Sequence, residues 1–333
     1  MKRGESGLSL VVALNKPQGM SSHDVVNRCR RVFGERRCGH TGTLDPLATG
    51  VLPICVGPAT RLDRFMVGHD KRYRVTIAFG CEMTTDDSAG TVTETGSIPS
   101  FVRDDAFASD FIAGTVGVHS QVPPMYSAIK VGGKKAYEVA RKGDELDLEP
   151  RRVEVFSASL VDVRDDGHDD VSWVVDFHVS KGTYIRALAR DIGRNLTCPA
   201  HVSALERLSA GRIGLDECVS LETLESLGTQ AALDPVRVLG LRFGFADDVE
   251  RFVNAGNALR EDQLALFDPL PMRGEELACA CTSGICPSAD PAHDGELVCI
   301  VVGNRLKALY RYDGPSSSWK PECVFSTPVY RGL

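Results

Sequence analysis

Residues 39–53, with the sequence GHTGTLDPLATGVLP, restrict the backbone more than any other stretch of this chain. Pro46 disfavours helical backbone angles at the residue before it, which predicts that Asp45 lies in a turn or an extended segment. Three glycines in the stretch permit tight turns and close approach by a ligand. The apolar run 51–56 that follows is typical of a buried strand. The pattern predicts a loop that presents one carboxylate at the edge of a rigid core, although an aspartate before a proline is by itself commonly a simple turn former.

Apolar periodicity in the remainder of the chain is partly helical and partly strand-like. Residues 22–33 predict an amphipathic helix, because Ser21 and Asp24 have the spacing of an N-terminal cap and Gly34 can end the helix. A second helix is predicted at 183–196, where apolar residues recur on one face. The other predicted elements are strands at 8–15, 73–79, 90–95, 153–162 and 171–180. Because most of these strands lack an intervening helix of crossover length, the pattern favours a mixed α/β fold with a largely antiparallel or mixed sheet.

The length of 333 residues exceeds the size at which one hydrophobic core stops growing, so two domains are expected. Residues 247–259 predict a short helix and a turn, and short strands are predicted at 297–302, 306–310 and 322–325. These segments indicate a small β-rich module. Within it, residues 269–294 are rich in Pro, Gly, Ser and Ala and predict a mobile inserted loop. This stretch holds three cysteines whose spacing fits zinc ligands poorly, namely Cys279, Cys281 and Cys286.

Charge is distributed unevenly along the chain. The net charge is −7, but residues 1–74 contain 13 Lys and Arg against 6 Asp and Glu. The basic residues of this region include Arg28, Arg30, Arg31, Arg36 and Arg37. These five arginines either form part of a binding surface or are the solvent-exposed face of a helix. A second basic cluster consists of Lys130, Lys134, Lys135, Arg141 and Lys142. A cationic segment on an acidic body predicts a surface that binds a polyanion, with an affinity that falls as salt rises.

The sequence predicts a cytoplasmic protein. The apolar stretch 8–14 is too short to span a bilayer and lacks the small-residue pattern of a signal-peptide cleavage site. Eleven cysteines without a framework of short spacings favour reduced thiols in a reducing compartment. Neither of the glycine-rich motifs that bind nucleotide phosphates occurs in the sequence, so no nucleotide cofactor is expected.

A second candidate group lies where the last of the predicted strands before residue 183 runs into a helix. Gly182 supplies a flexible corner, and Thr183 is predicted to cap the helix. Tyr184 and Arg186 fall in the first helical turn. A cation is unfavourable at a helix N-terminus, so Arg186 is expected to have an acidic partner. Asp45 fits this role, because a neighbouring cation keeps a carboxylate ionised.

The motif at 39–53 is similar to the GHTGxLDPxATGxLP signature of the TruB family of pseudouridine synthases, and every position of that pattern is met. Further stretches agree with the family in order along the chain: 15–21 (NKPQGMS), 71–73 (KRY), 123–130 (PPMYSAIK) and 182–186 (GTYIR). The chain therefore resembles this family over about residues 9–245. The resemblance implies isomerisation of uridine 55 in the T-arm loop of tRNA to pseudouridine.

The resemblance also implies roles for individual side chains. Asp45 is the expected catalytic carboxylate, and Tyr73 is expected to stack on the target uracil, although its strand position also suits cross-strand packing. Tyr184 and Arg186 are expected to line the active site beside the aspartate. The other expected site residues are His40, which contacts the nucleotide, Lys16, which supports the site, and Leu205, which packs near the pocket. From composition alone, Leu205 is a core leucine.

The architecture implied by the resemblance is a pseudouridine-synthase-like central sheet, mixed or antiparallel, flanked by helices and followed by a small β-rich PUA-like domain. The catalytic domain is expected at 1–245, with an RNA-gripping insertion at about 122–142. The PUA-like domain is expected at 246–333, with an inserted loop at about 269–294. The isomerisation involves no redox step and no group transfer, so no cofactor and no metal are expected. The expected partner is the T-arm stem-loop of tRNA, with no membrane and no obligatory protein partner, and the protein is expected to be a monomer.

Three chemical paths are open for Asp45, namely attack at the ribose C1′, attack at the base, or removal of a sugar proton. A nucleoside hydrolase would use a similar carboxylate but would release free uracil. A non-catalytic RNA-binding or tRNA-folding protein would use the basic surface without the aspartate. The two alternatives therefore differ from an isomerase in their product or in their dependence on Asp45.

Overall fold

The computed structural model describes residues 6–127, 129–131, 134–140, 146–167, 170–273 and 287–332. Cys279, Cys281 and Cys286 lie outside the described residues, and so do Arg141 and Lys142 of the second basic cluster. For Lys130, Lys134 and Lys135 the backbone alone is described.

In chain order, the strands up to residue 214 are β1 (Leu10–Lys16), β2 (Cys38–His40), β3 (Thr49–Val56), β4 (Lys71–Phe79), β5 (Cys81–Met83), β6 (Val92–Thr95), β7 (Gly117–Gln121), β8 (Lys130–Val131), β9 (Lys134–Lys135), β10 (Arg151–Asp165), β11 (Val171–Val179), β12 (Ala200–Ala210) and β13 (Ile213–Gly214). The later strands are β14 (Phe243–Phe245), β15 (Leu259–Arg260), β16 (Leu266–Phe267), β17 (Leu297–Val302), β18 (Arg305–Asp313) and β19 (Ser318–Tyr330). The helices are α1 (Ser22–Phe33), α2 (Asp63–Met66), α3 (Asp105–Ala113), α4 (Ala136–Ala140), α5 (Ile185–Asn195), α6 (Leu221–Leu227), α7 (Pro235–Leu239) and α8 (Glu250–Asn254). None of the helices in the described ranges is long and apolar enough to cross a membrane.

The larger sheet contains nine of the described strands. Their order is β1-β3-β12-β4-β11-β10-β7, with β2 paired to β3 and β13 paired to β12. The strand pairs are antiparallel apart from β3 and β12, which run parallel where Gly50 meets Arg207. Buried residues of α1, α3 and α5 pack with this sheet in one apolar core. The predicted mixed sheet flanked by helices is confirmed.

Local signals define α1 as predicted. The Ser21 hydroxyl accepts the backbone N–H of Asp24, and the Asp24 carboxylate accepts the N–H of Ser21, while Gly34 ends the helix with a left-handed φ of 58°. The predicted cap of α5 is wrong. Tyr184 is its N-cap residue, because the Thr183 hydroxyl donates to the carbonyl of Ser180 at 2.9 Å in the turn after β11.

The smaller sheet has six of the described strands in the order β15-β19-β18-β17-β14-β16. β17 coincides with the predicted strand 297–302, whereas β18 and β19 are longer than predicted. Residues of both sheets share one apolar core, with Val11 and Val51 packed together with Phe243, Cys299 and Phe325. β14 belongs to the smaller sheet although it precedes residue 246, and the division into domains at that residue stays a prediction.

Candidate active site

The loop between β2 and β3 carries Asp45. At its start, the N–H of Thr41 donates to the carbonyl of Pro53 at 3.1 Å. At its centre, the Ser22 hydroxyl of α1 donates to the Leu44 carbonyl at 2.9 Å and accepts the Leu44 N–H at 2.8 Å. The loop is therefore fastened to the sheet on one side and to a helix on the other.

Lys16 supports this loop from the end of β1. Its Nζ donates to the carbonyls of Pro17 at 2.9 Å, Met20 at 2.6 Å and Pro46 at 3.5 Å. Burial lowers the pKa of Lys16 to about 8, and the negative charge of Asp45 opposes that shift. Because its hydrogen-bond partners are backbone carbonyls, Lys16 holds the backbone on both sides of the candidate site.

Arg207 on β12 is a second buried cation at the loop, and it was not singled out from the sequence. Its Nε donates to the Val51 carbonyl at 2.6 Å, and its Nη2 donates to the Gly42 carbonyl at 3.1 Å. These bonds join the segment before Asp45 to the strand after it. The sequence could have indicated Arg207, because it lies two residues after Leu205. Residues two apart in a strand point to the same face, here the face of the core.

Arg186 in the first turn of α5 contacts Asp45, with Nε 2.9 Å from Oδ2. Its Nη1 donates to the Thr85 carbonyl at 2.9 Å and lies 3.4 Å from Oδ2 of Asp87. Its Nη2 donates to the Tyr126 carbonyl at 2.9 Å. The Arg186 side chain is 6% exposed and the Asp45 side chain is 35% exposed. The charge argument predicts this ion pair, and the geometry leaves one side of the carboxylate open to a ligand.

The charges around Asp45 act in opposite directions on its pKa. Burial raises the pKa of Asp45, whereas the guanidinium of Arg186 opposes the rise. The carboxylate of Asp87 adds to the rise, and the ammonium group of Lys16 opposes it. The resulting pKa lies above the ordinary aspartate value of 3.8.

The connection between β5 and β6 supplies two acidic residues that were not singled out from the sequence. Asp87 accepts the Thr85 hydroxyl through Oδ1 at 2.6 Å while its Oδ2 faces Arg186. Asp86 pairs with Arg190, one helical turn after Arg186, at 3.0 Å. Burial raises the pKa of Asp86 to about 6. The signal in the sequence was this acidic doublet, but its partners lie about a hundred residues away.

The two candidate tyrosines lie in different settings. Tyr73 lies on β4 opposite Arg207 and is 8% exposed. Tyr184 caps α5, and its backbone N–H donates to Oε1 of Gln121 at 2.9 Å. Burial raises the pKa of the Tyr184 phenol, and the charge of Asp45 contributes to the rise.

His40 and Leu205 complete the predicted set. His40 ends β2, and its Nδ1 is buried without a hydrogen-bond partner among the described residues. Burial lowers the pKa of His40, and the charge of Arg207 adds to the effect. Leu205 lies on β12 in the same apolar core as Tyr73. Within the described ranges, Asp45 makes no hydrogen bond or ion pair with His40, Tyr73 or Leu205, and no group of three His, Cys, Asp or Glu side chains there is arranged to hold a metal ion.

Known proteins resemble this chain over most of its length. A family model described as the N-terminal domain of TruB family pseudouridylate synthase matches residues 30–185, and one for the C-terminal domain of tRNA pseudouridylate synthase B matches 186–236. A tRNA pseudouridine synthase B of Symbiobacterium thermophilum is 46% identical over 231 residues, which are 69% of this chain and 75% of the relative. The chain belongs to the TruB family of pseudouridine synthases. The TruB relative of Caldanaerobacter subterraneus subsp. tengcongensis is 41% identical over 68% of this chain and 76% of its own. The predicted family and enzyme class, a tRNA pseudouridine synthase, are confirmed.

Solved structures of lower identity share the TruB chain's fold. The structure of an H/ACA RNP bound to a substrate RNA containing 2′-deoxyuridine has a TM-score of 0.65 at 20% identity, covering 96% of this chain and 85% of that one. The archaeal box H/ACA sRNP Nop10-Cbf5 complex has a TM-score of 0.63 at 20% identity, covering 95% and 86%. At this identity the likeness concerns the fold, and it agrees with the mixed α/β architecture.

Proposed function

We propose that this TruB chain isomerises uridine 55 in the T-arm loop of tRNA to pseudouridine, with Asp45 as the catalytic carboxylate. The observation that carries the proposal is the ion pair between Arg186 Nε and Asp45 Oδ2 at 2.9 Å. The arginine is buried, whereas 35% of the carboxylate side chain is exposed. A carboxylate that is held by a buried arginine and still partly exposed suits covalent or proton-transfer chemistry on a bound nucleoside. Relatives named tRNA pseudouridine synthase B support tRNA as the substrate.

The reaction breaks the bond between N1 and C1′, turns the uracil, and joins C5 to C1′. N1 gains a proton and C5 loses one, so the atoms balance without an oxidant, a reductant or a cofactor. Asp45 attacks C1′, attacks the base, or removes a sugar proton, and each of these paths uses the ionised carboxylate. The guanidinium of Arg186 favours that ionised form.

The other predicted site residues act on the bound nucleotide or on the loop. We infer that Tyr73 stacks on the target uracil and that Leu205 forms an apolar wall beside it, since both belong to one apolar core. His40 contacts the nucleotide as a neutral imidazole, because burial lowers its pKa. Tyr184 lines the pocket beside Arg186, and Lys16 supports the backbone of the Asp45 loop.

The target base leaves its stack to reach Asp45, and contacts to the RNA backbone offset the cost of a few kcal/mol. We infer that those contacts come from the insertion at about 122–142, from the PUA-like domain at 246–333, and from basic residues of the N-terminal region other than Arg28, whose charge is paired with Glu225. The Tyr126 carbonyl of the insertion accepts a hydrogen bond from Arg186, which supports a direct connection between RNA binding and the active site. The protein acts as a cytoplasmic monomer without a cofactor or a metal.

The test is incubation of the protein with an unmodified tRNA transcript, followed by chemical mapping of pseudouridine. Asp45→Asn preserves the size of the side chain but removes its charge, and it is expected to reduce product at position 55 by more than about a thousandfold. Binding of tRNA is expected to stay within about threefold of the parent. Asp162→Asn is the matched control, because Asp162 is an exposed aspartate whose loss is expected to leave both quantities unchanged.

Three outcomes decide between the alternatives. Free uracil in place of pseudouridine would identify a nucleoside hydrolase. Equal product from the parent and Asp45→Asn would reject the catalytic aspartate. Product in a transcript with cytidine at position 55 would show that another uridine is the target.

A further inference from the structure

A basic cavity of about 640 Å³ lies beside the strand that leads into the Asp45 loop. Its lining includes Arg30, Arg36, Arg37, His40, Thr60 and Asp63. Three arginines line the cavity, and Asp63 is the one acidic residue among its lining residues. Glu35 adds a second carboxylate next to the cavity, where its Oε1 accepts the backbone N–H of Arg37 at 2.9 Å, so the arginines exceed the acidic side chains by one.

Two of these arginines are held by neutral acceptors. Arg30 Nη1 donates to Oδ1 of Asn27 at 2.8 Å, and its Nε donates to the Arg36 carbonyl at 3.1 Å. Arg37 Nε donates to the Thr60 hydroxyl at 2.7 Å. Within the part of the chain that the structure describes, neither the Arg30 nor the Arg37 side chain forms an ion pair, so neutral acceptors orient both.

Arg28 on the same helix shows the contrasting case. Its Nη2 lies 2.8 Å from Oε1 of Glu225, so its charge already has a carboxylate partner. Elsewhere in the larger sheet, Arg74 and Asp176 form a similar pair at 2.8 Å. The contrast indicates that the positive charge of the cavity is available to an external anion.

The other groups in the cavity favour binding over reaction. His40 lines the cavity, and its Nδ1 is buried and lacks a hydrogen-bond partner among the described residues. Burial raises the pKa of Asp63 above its ordinary value. Burial also raises the pKa of the Cys38 thiol to about 12, so this sulfur is not a nucleophile at neutral pH.

The cavity is close to Asp45 along the chain. His40 ends β2, and Asp45 follows five residues later, so their Cα atoms are at most about 18 Å apart. Guanidinium groups bind phosphate oxygens through two parallel hydrogen bonds. We propose that this cavity binds a phosphodiester group of the RNA strand next to the target nucleotide, with Arg37 and Arg30 as its main contacts. The inference rests on the proposed function, because that function makes RNA the ligand.

The first test compares two variants that remove one positive charge each. Arg37→Gln removes a charge of the cavity, whereas Arg28→Gln removes a charge that is paired with Glu225. Affinity for tRNA is measured over a range of salt concentrations. Arg37→Gln is expected to bind about tenfold more weakly at low salt, and the slope of log affinity against log salt is expected to decrease by about one. Arg28→Gln is expected to stay within about twofold of the parent.

A second measurement changes the RNA and leaves the protein intact. T-arm stem-loops carry one neutral methylphosphonate at successive positions around the target uridine. The parent protein is expected to lose about tenfold in affinity at one of these positions. The same substitution is expected to have a smaller effect on Arg37→Gln, because this variant has already lost one of the two arginine contacts to that phosphate.

Equal salt slopes for Arg37→Gln and Arg28→Gln, or an RNA without a sensitive methylphosphonate position, would overturn the phosphate site. Pseudouridine formation by the parent protein is measured in parallel. If the parent forms pseudouridine and Arg37 has no effect on binding, the cavity proposal alone fails. If the parent forms none while binding depends on Arg37, the proposed function fails and the anion site holds.

Discussion

The cations around Asp45 have two different tasks: Arg186 contacts its carboxylate, whereas Lys16 and Arg207 hold the loop backbone. Arg186 contacts Asp45 through Nε and two backbone carbonyls through its other nitrogens. Lys16 donates to the Pro46 carbonyl of the loop and Arg207 donates to its Gly42 carbonyl, so both hold the loop backbone. A planar guanidinium holds its donors in fixed directions on three nitrogens, whereas the three donors of an ammonium group share one nitrogen and rotate about it. The orientation of the carboxylate therefore depends on the shape of Arg186 as well as on its charge.

The pH dependence of product formation tests this arrangement. In the proposed function Asp45 reacts in its ionised form, and its pKa lies above 3.8, so the single-turnover rate is expected to fall as pH drops through that raised pKa. Arg186→Lys keeps the positive charge but loses the guanidinium hydrogen bond that helps to lower the pKa of Asp45. The pKa of Asp45 is then expected to rise further, which shifts the fall in rate to higher pH and lowers the plateau about a hundredfold.

The control for this prediction lies on the same helix. Arg194→Lys changes an exposed arginine that contacts Glu82 at 2.8 Å, and it is expected to leave the pH profile unchanged. A profile for Arg186→Lys that coincides with the parent would show that Arg186 does not influence the ionisation of Asp45.

Among the secondary-structure elements, the parallel contact between β3 and β12 determines the position of the loop. Gly50 has φ of +98°, and a Cβ atom there would lie 2.3 Å from the Arg207 carbonyl oxygen. The close approach of these strands brings the Arg207 side chain to the carbonyls of Val51 and Gly42. Gly50 is therefore needed for the close packing of the two strands as well as for its left-handed backbone conformation.

Gly50→Ala is expected to lower the free energy of unfolding by about 2–4 kcal/mol, because it combines backbone strain with a backbone clash. Gly256→Ala is the matched control, since Gly256 also has a positive φ, of +69°, but a Cβ atom there would have no neighbouring atom within 4 Å. Gly256→Ala is expected to lower the free energy of unfolding by about 1 kcal/mol. Urea denaturation measures both, and equal losses would contradict the importance of the strand contact.

At the scale of the whole molecule, the two sheets depend on one shared apolar core. Val11 and Val51 of the larger sheet pack with Phe243 and Phe325 of the smaller sheet. Arg61 also donates to the Val324 carbonyl at 2.5 Å. Separation of the sheets would expose this apolar surface to water, which is unfavourable. The sheets are therefore expected to unfold together.

The two tryptophans of the chain allow this cooperativity to be measured. Trp173 is buried on β11 and Trp319 is buried on β19, so Trp319→Phe and Trp173→Phe each leave a fluorophore in one sheet. The urea midpoints of the two variants are expected to coincide. Phe325→Ala is expected to lower both by the equivalent of about 3–5 kcal/mol, whereas Phe156→Ala, at an exposed phenylalanine, is expected to cost much less. Separate midpoints would show that the shared core does not couple the sheets.

Helices and strands whose bounds depend on residues close in the sequence were predictable from the sequence. Helix α1 has the predicted bounds, because Ser21, Asp24 and Gly34 lie within one turn of its ends. Strand β12 was not predicted, since bulges between Val202 and Ala204 and between Arg207 and Ser209 interrupt its alternation. The cap of α5 shifted to Tyr184 because the Thr183 hydroxyl is engaged by the preceding turn.

The motif at 39–53 by itself determined that Asp45 lies in a turn, and the charge of Arg186 at a helix start indicated an acidic partner. Only the tertiary structure decided that Asp87 and Tyr126 also hold Arg186, that Arg207 ties the loop to Val51 across 156 residues, and that basic residues enclose a cavity beside it. The physical reason is the range of the interactions. Backbone angles, caps and periodicity depend on a few neighbouring residues, whereas a long-range hydrogen bond or a cavity depends on which distant elements pack together to bury the apolar surface of the whole chain.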